Sequence, residues 1–168
     1  MRRSEVLDRA DIERVLKRLA HEVIERNQGS ANLDFIGIAT GGSWLAGDLA
    51  ELVSRYGGDP VSCFELSIEG FRDDKPRTIL QSERLKQVDG ARVVLVDDVL
   101  HTGRTVRAAM EAIISTARPQ LVQLAVLVDR GHRELPIRAD FVGKSLPTRG
   151  DEFVEVSRDG VVIVSGGE

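Results

Sequence analysis

The chain has 168 residues, 42% of them hydrophobic and 30% charged, which is enough length and apolar content for a full core and excludes a disordered or fibrous chain. The single Cys63 excludes an internal disulfide framework and a four-cysteine zinc site. A net charge of −4 and an aromatic content of 4% exclude a wholesale basic coat and leave few rings for base stacking, so any nucleic-acid contact leans on phosphates and hydrogen bonds. No apolar run approaches the ~18 residues of a membrane span, and the start MRRSEVLDRADIERV has no apolar signal core. The expectation is a cytoplasmic protein with one domain over residues 1–168.

Ile12, Val15, Leu16, Leu19, Ala20, Val23 and Ile24 recur at helical spacing, so 11–26 reads as an amphipathic helix with Gly29 as its stop. Leu33 to Ile38 reads as a short strand, followed by the turn Thr40-Gly41-Gly42-Ser43. Trp44 to Arg55 reads as a second helix, broken by Gly57-Gly58-Asp59-Pro60, and Val61 to Leu66 as a second strand that buries Cys63. The polar stretch from Ser67 to Gly90, containing FRDDKPR, reads as an extended arm or mobile loop with a short strand. Arg92 to Asp97 is an almost continuous apolar run, as in a strand covered on both faces. A helix over 105–117 and another buried strand over 121–128 come next. Strands alternating with helices predict an α/β fold with a mainly parallel central sheet flanked by helices. At the end, Phe153 to Val156 and Val161 to Val164 flank Asp159-Gly160, a C-terminal β-hairpin signal.

The most informative stretch is VVLVDDVLHTGRT, Val93 to Thr105. A buried strand ends in the adjacent carboxylates Asp97 and Asp98, and a small hydroxyl-bearing turn leads into a helix. In open α/β sheets, ligands sit at the carboxyl ends of strands. Backbone N–H groups of Val99, Leu100, His101, Thr102, Gly103, Arg104 and Thr105 would cradle an anion there. Carboxylates beside such a cradle repel phosphate, unless the ligand also carries a diol for them to accept from. Phosphorylated ribose is such a ligand. Other phosphate and nucleophile motifs fail: Arg138 stands where a Walker loop ending Gly143-Lys144-Ser145 needs its first glycine, and no G-x-G-x-x-G occurs. Three scattered histidines and one cysteine give no zinc spacing.

These thirteen residues resemble the 5-phosphoribosyl-1-diphosphate (PRPP) binding motif of type I phosphoribosyltransferases. VDRGHRELPIRADFVGKSLPT, Val128 to Thr148, together with VLVDDVLHTGRTVRAAM and RLAHEVIERN, resembles the PyrR family, pyrimidine-operon attenuators that are also uracil phosphoribosyltransferases. The resemblance runs from about residue 11 to 147. It implies a type I phosphoribosyltransferase-like fold with a flap, and a reaction in which uracil displaces diphosphate from PRPP to give UMP. Asp97 and Asp98 would hold the ribose hydroxyls, with Mg2+ shared between those hydroxyls and the diphosphate. Val99 to Thr105 would bind the 5-phosphate, and Thr40, Gly41 and Gly42 the diphosphate. Asp140, Phe141 and Val142, at the end of a late strand, would line the uracil pocket, and Arg72 would sit on the flap. Homodimers or higher homo-oligomers are what the family implies, with UMP and UTP as nucleotide partners.

Many family members carry a basic pair in the diphosphate turn where this chain reads Ala39-Thr40-Gly41-Gly42, so Gly41→Arg is expected to raise activity. The flap tip is short for the family. Arg14, Lys17, Arg18 and His21 form a basic stripe on the first helix, and Arg130, His132, Arg133, Arg138 and Lys144 a second group. Residues resembling His21, Thr40, His132, Arg133, Arg138 and Lys144 carry RNA contacts in the family, on one face, and Lys17 stands where the family has a hydroxyl; these seven are the expected RNA-binding residues. Replacing His132 and Arg133 is therefore expected to weaken binding of pyrimidine-operon leader RNA and to spare UMP formation. His101 reads as a loop position whose backbone matters, and Trp44 as packing of the second helix. Two alternatives stay open: an RNA-binding pyrimidine regulator with weak or no catalysis, and a phosphoribosyltransferase for another base.

Overall fold

The computed structural model describes residues 1–69 and 79–166. Arg72 and the expected flap tip lie outside these residues.

Strand β1 (Arg2–Asp8) leads into helix α1 (Arg9–Asn27) through a capping box, in which Asp8 and Asp11 each accept the other's backbone N–H. Ile12, Leu16, Leu19, Ala20 and Val23 form its buried stripe. The helix ends with Gln28 in the left-handed region and the Gly29 N–H on Ile24 O at 2.9 Å. Then come β2 (Leu33–Ile38), α2 (Gly41–Gly57), β3 (Ser62–Leu66), α3 (Ile79–Lys86), β4 (Arg92–Leu100), α4 (Arg104–Ile114), β5 (Leu121–Asp129), β6 (Phe141–Ser145), β7 (Glu152–Ser157) and β8 (Gly160–Ser165).

The main sheet is parallel throughout, in the order β3-β2-β4-β5-β6. The chain leaves β2 toward β3 on one side and returns to β4 on the other. Right-handed crossovers in opposite directions must put their helices on opposite faces. Accordingly α1 and α2 share a core with Phe35, Val94, Val96 and Phe141 on the first face, while Val93, Leu95 and Leu124 pack with α4 and with Leu85 of α3 on the second. The reversal of strand order between β2 and β4 opens a crevice at their carboxyl ends, where such folds bind ligands.

A second, antiparallel sheet has the order β1-β8-β7 and shares the first core through Leu7, Val154, Val156 and Val161. The hairpin is as expected, but its two-residue turn is Arg158-Asp159, and Gly160 already pairs with Ser157. β1 is an addition to the expected elements: RRSEVLD buries only Leu7, so no alternation marks it. The stretch expected to be a loop with a strand ends in α3, whose Leu85, with Val88 just beyond it, is the packed anchor. Cys63 is exposed, not buried, because β3 is an edge strand. No helix of the described residues is long and apolar enough to cross a membrane.

Candidate active site

Two stretches line the crevice: the link from β2 into α2, and the end of β4 with the loop beyond it. The Ala39 N–H bonds Leu66 O at 2.9 Å, the Ala39–Thr40 peptide is cis, and α2 begins at once with Gly41. The expected four-residue turn is thus mostly the first turn of a helix. A Cβ on Gly42 would lie 2.2 Å from Val96 O, and one on Gly41 2.2 Å from Asp98 Oδ2. At 42, where the near atom is backbone, only glycine lets the start of α2 lie directly on the end of β4. The free N–H groups and positive end of a 17-residue helix are thereby brought beside two carboxylates.

Asp97 is buried, with 6% of its surface exposed, and its Oδ1 accepts the Asp98 N–H at 2.9 Å. Burial, and secondarily the neighbouring Asp98 charge, push its carboxyl well above the usual carboxylate range. Asp98 is half-buried and accepts the Val99 N–H at 2.7 Å. β4 runs three residues further than expected. Val99 and Leu100 pair with Val128 and Asp129, and the Val99 N–H is already used. The loop proper is His101-Thr102-Gly103, with Gly103 at φ +94° capping α4 and Thr102 Oγ1 accepting the Arg104 N–H at 3.3 Å. The cradle expected over 99–105 therefore narrows to 101–105, with the Arg104 N–H shared with Thr102 Oγ1.

The segment after β5 packs against this loop. Arg130 N–H bonds Leu100 O at 3.0 Å, Arg133 Nη1 bonds His101 O at 2.8 Å, and the N–H groups of Glu134 and Leu135 bond Thr102 O at 2.9 and 3.2 Å. His101 and His132 meet ring edge to face at 5.8 Å. Burial first, then the charges of Arg130 and His132, lower the His101 pKa.

The residues expected to line a uracil pocket stand elsewhere. Phe141 begins β6 instead of ending a strand; it pairs with Ala125 and is buried in the first core. Asp140 closes the entry of that strand, with its N–H on Leu124 O at 2.9 Å and its Oδ2 accepting the Leu124 N–H at 2.8 Å. Val142 packs on the second face, two strands (about 10 Å) from β4. The rim beside the crevice is formed instead by Asp129 and the segment after it.

Residues 2–157 match the phosphoribosyl transferase domain family. The chain is 52% identical over 159 residues to the bifunctional protein PyrR of Brevibacillus brevis, covering 92% of this chain and 89% of that one. It is 48% identical over 163 residues to the bifunctional protein PyrR of Bacillus subtilis, covering 93% and 90%. The chain belongs to the PyrR family. Solved structures agree on the fold alone: a hypoxanthine-guanine phosphoribosyltransferase from Leishmania tarentolae in complex with GMP superposes with a TM-score of 0.76 at 16% identity over 99% of both chains. The hypoxanthine phosphoribosyltransferase of Trypanosoma cruzi gives 0.74 at 18% identity over 98% and 97%.

In this PyrR-family chain the seven residues expected to form one RNA face are divided. Lys17 and His21 are exposed on α1 beside α2, where Lys17 lines a groove with Asp48 and Glu51 and His21 packs on Tyr56 at 4.9 Å. Arg138 lines a cavity of about 240 Å³ with Val106 and Met110 of α4, on the second face. Lys144 alternates to that same face, since Gly143 before it touches Val15 of α1. Thr40 is exposed in the crevice. His132 is exposed but holds Thr148 O through Nε2 at 2.5 Å. Arg133 points inward, with Nε on Ile137 O at 2.8 Å and Nη2 on Asp129 Oδ2 at 2.6 Å. Burial raises the Asp129 carboxyl, but the Arg133 and Gly131 hydrogen bonds outweigh it and hold the group below the usual range. Arg130 is buried and pins the chain after β6 through Thr148 Oγ1, Arg149 O and Glu152 O at 2.8, 3.2 and 2.7 Å.

Sequence reasoning misses Asp129, whose signal is a second carboxylate at the end of a buried strand. It also passes over Ser43, whose Oγ in the first turn of α2 is buried with no hydrogen-bond partner among the described residues.

Proposed function

We propose that the protein transfers the phosphoribosyl group of PRPP to uracil, giving UMP and diphosphate, and binds pyrimidine-operon leader RNA under the control of uridine nucleotides. The observation that carries the reading is the seating of α2's glycine start on the Asp97–Asp98 strand end. It joins an anion-binding helix terminus to diol-accepting carboxylates, and a ligand with both diphosphate and ribose uses the two together.

Asp97 and Asp98 accept from the ribose hydroxyls, the N–H groups of 101–105 take the 5-phosphate, and Thr40 with the first turn of α2 takes the diphosphate. The donor set fits Mg2+: two hard carboxylates, of which one is buried beside a like charge, with no third His, Cys, Asp or Glu clustered there among the described residues. Magnesium ordinarily takes one or two carboxylates and completes its shell with water and substrate phosphate. When bound it supplies positive charge to the departing diphosphate. The protein's own contribution is to hold the sugar and both phosphates in line and to offer fixed dipoles where charge develops. Gly41 supplies no side-chain cation, so at this turn backbone N–H groups meet the diphosphate.

The test is UMP formation from uracil, PRPP and Mg2+, with hypoxanthine and orotate as controls. UMP alone is the expected product. PRPP binding without turnover would make the protein a nucleotide-responsive RNA regulator, and turnover of hypoxanthine in place of uracil would make it a purine enzyme.

A further inference from the structure

Three successive carbonyls leaving β4, those of Leu100, His101 and Thr102, are held by the segment 130–135. A trans peptide is planar, and its N–H points opposite to its C=O. Fixing these carbonyls therefore turns the N–H groups of His101, Thr102 and Gly103 to the other side of the loop, where successive N–H groups make an anion-binding concavity. The outer two carbonyls are held by backbone N–H groups, which most residues supply. Among the described residues the middle one depends on a single side chain, Arg133. Its guanidinium is committed at all three nitrogens, to Ile137 O, His101 O and Asp129 Oδ2 at 2.8, 2.8 and 2.6 Å, and its side chain is only 24% exposed. An arginine so engaged has three of its five N–H donors committed and most of its side chain covered, so holding the loop is its first role and an RNA phosphate could reach it only at the exposed remainder.

We propose that Arg133 is a positioning residue of the phosphate loop. It clamps the His101–Thr102 peptide so that the Thr102 N–H faces the 5-phosphate, with Asp129 orienting the guanidinium. The planar fork spans three acceptors at once, which a lysine ammonium does not. This inference rests on the reading that 101–105 receives the 5-phosphate of PRPP.

The experiment is steady-state UMP formation by the full chain, with PRPP and uracil varied separately and ribose 5-phosphate as inhibitor, for wild type, Arg133→Ala, Arg133→Lys and Asp129→Asn. In Arg133→Ala the KM for PRPP and the inhibition constant for ribose 5-phosphate rise together by roughly tenfold to a hundredfold, as for loss of a hydrogen bond to a charged group. The KM for uracil and kcat stay within about threefold, because a lost phosphate contact is uniform binding. Arg133→Lys and Asp129→Asn shift the same two constants by less, and they carry the comparison where the alanine variant does not fold. Unchanged constants for both phosphate ligands overturn the proposal, as does a rise in the uracil KM equal to that for PRPP. Wild-type protein that neither forms UMP nor is bound by ribose 5-phosphate removes the functional reading itself, and this inference with it.

Discussion

Gly41 and the Asp98 carboxylate are in direct contact: a Cβ on Gly41 would lie 2.2 Å from Oδ2 and 2.4 Å from Cγ. A side chain at 41 must push the end of the Asp98 side chain aside, which disturbs the carboxylate that holds the Val99 N–H. The expectation that Gly41→Arg raises activity therefore reverses. Gly41→Ala should weaken PRPP binding by about 1.5–3 kcal/mol, the worth of one hydrogen bond to a charged acceptor, and Gly41→Arg should weaken it at least as much. Calorimetric titration with PRPP measures both, and an arginine variant binding more tightly than wild type would refute this origin of the glycine requirement.

Asp97 supplies a prediction in two directions. Its folded pKa is raised, so folding binds a proton that the unfolded chain releases. This group therefore favours folding below the unfolded carboxyl pKa, and the contribution is lost as pH rises through the folded value. Asp97→Asn places a neutral amide where burial disfavours the carboxylate, and its amide oxygen still accepts the Asp98 N–H. The ligand-free variant should melt no lower than wild type, whereas PRPP affinity falls by about 1.5–3 kcal/mol, and by about twice that with Asp98→Asn. PRPP affinity of the wild type should increase with pH as Asp97 ionises. A double variant that binds PRPP as wild type does would end the assignment of both carboxylates.

Arg130 is a structural residue, not part of a basic surface. With 6% exposure and three oxygen acceptors after β6, its truncation takes the guanidinium from Thr148 Oγ1 and Glu152 O and leaves Arg149 O with the Glu152 N–H alone. Arg130→Ala should cost about 3 kcal/mol in urea unfolding at constant m-value. A loss below about 0.5 kcal/mol, the scale of an ordinary surface substitution, would show that the guanidinium is dispensable.

Local pattern makes much of this legible. β2 is readable to the residue, because Leu33–Ile38 is a bounded apolar run, and the Asp97-Asp98 strand end names the site directly. The features that escape depend on partners distant in sequence. The continuation of β4 through Leu100 is stabilised by β5, and the exposure of Cys63 results from β3 having no outer neighbour. Asp140-Phe141-Val142 falls at the opposite end of its strand from the expected one because a short apolar run does not say which way its neighbours extend. Arg133 reads as one of a basic group, since acceptors at Asp129, Ile137 and His101 become visible only once the loop is folded.

The division of the basic residues relocates the RNA prediction. Arg133 is engaged at the phosphate loop, so Arg133→Ala is no longer expected to spare UMP formation. Arg138 and Lys144 are both exposed, lie on the second face and take no part in the hydrogen bonds that hold the carbonyls of 100–102. Each residue that neutralises a phosphate contributes about 0.7 to the log–log salt slope for single-stranded RNA, so Arg138→Ala with Lys144→Ala should flatten the slope by about 1.4. UMP formation should stay at the wild-type rate. Filter binding to pyrimidine-operon leader RNA at several salt concentrations, with and without UMP, checks the first half, and the uracil assay checks the second. If Lys17→Ala with His21→Ala flattens the slope while the Arg138/Lys144 pair does not, the RNA lies on the α1–α2 side instead. A wild-type protein that binds the leader no more tightly than unrelated RNA would leave a transferase in which these cations only solvate the surface.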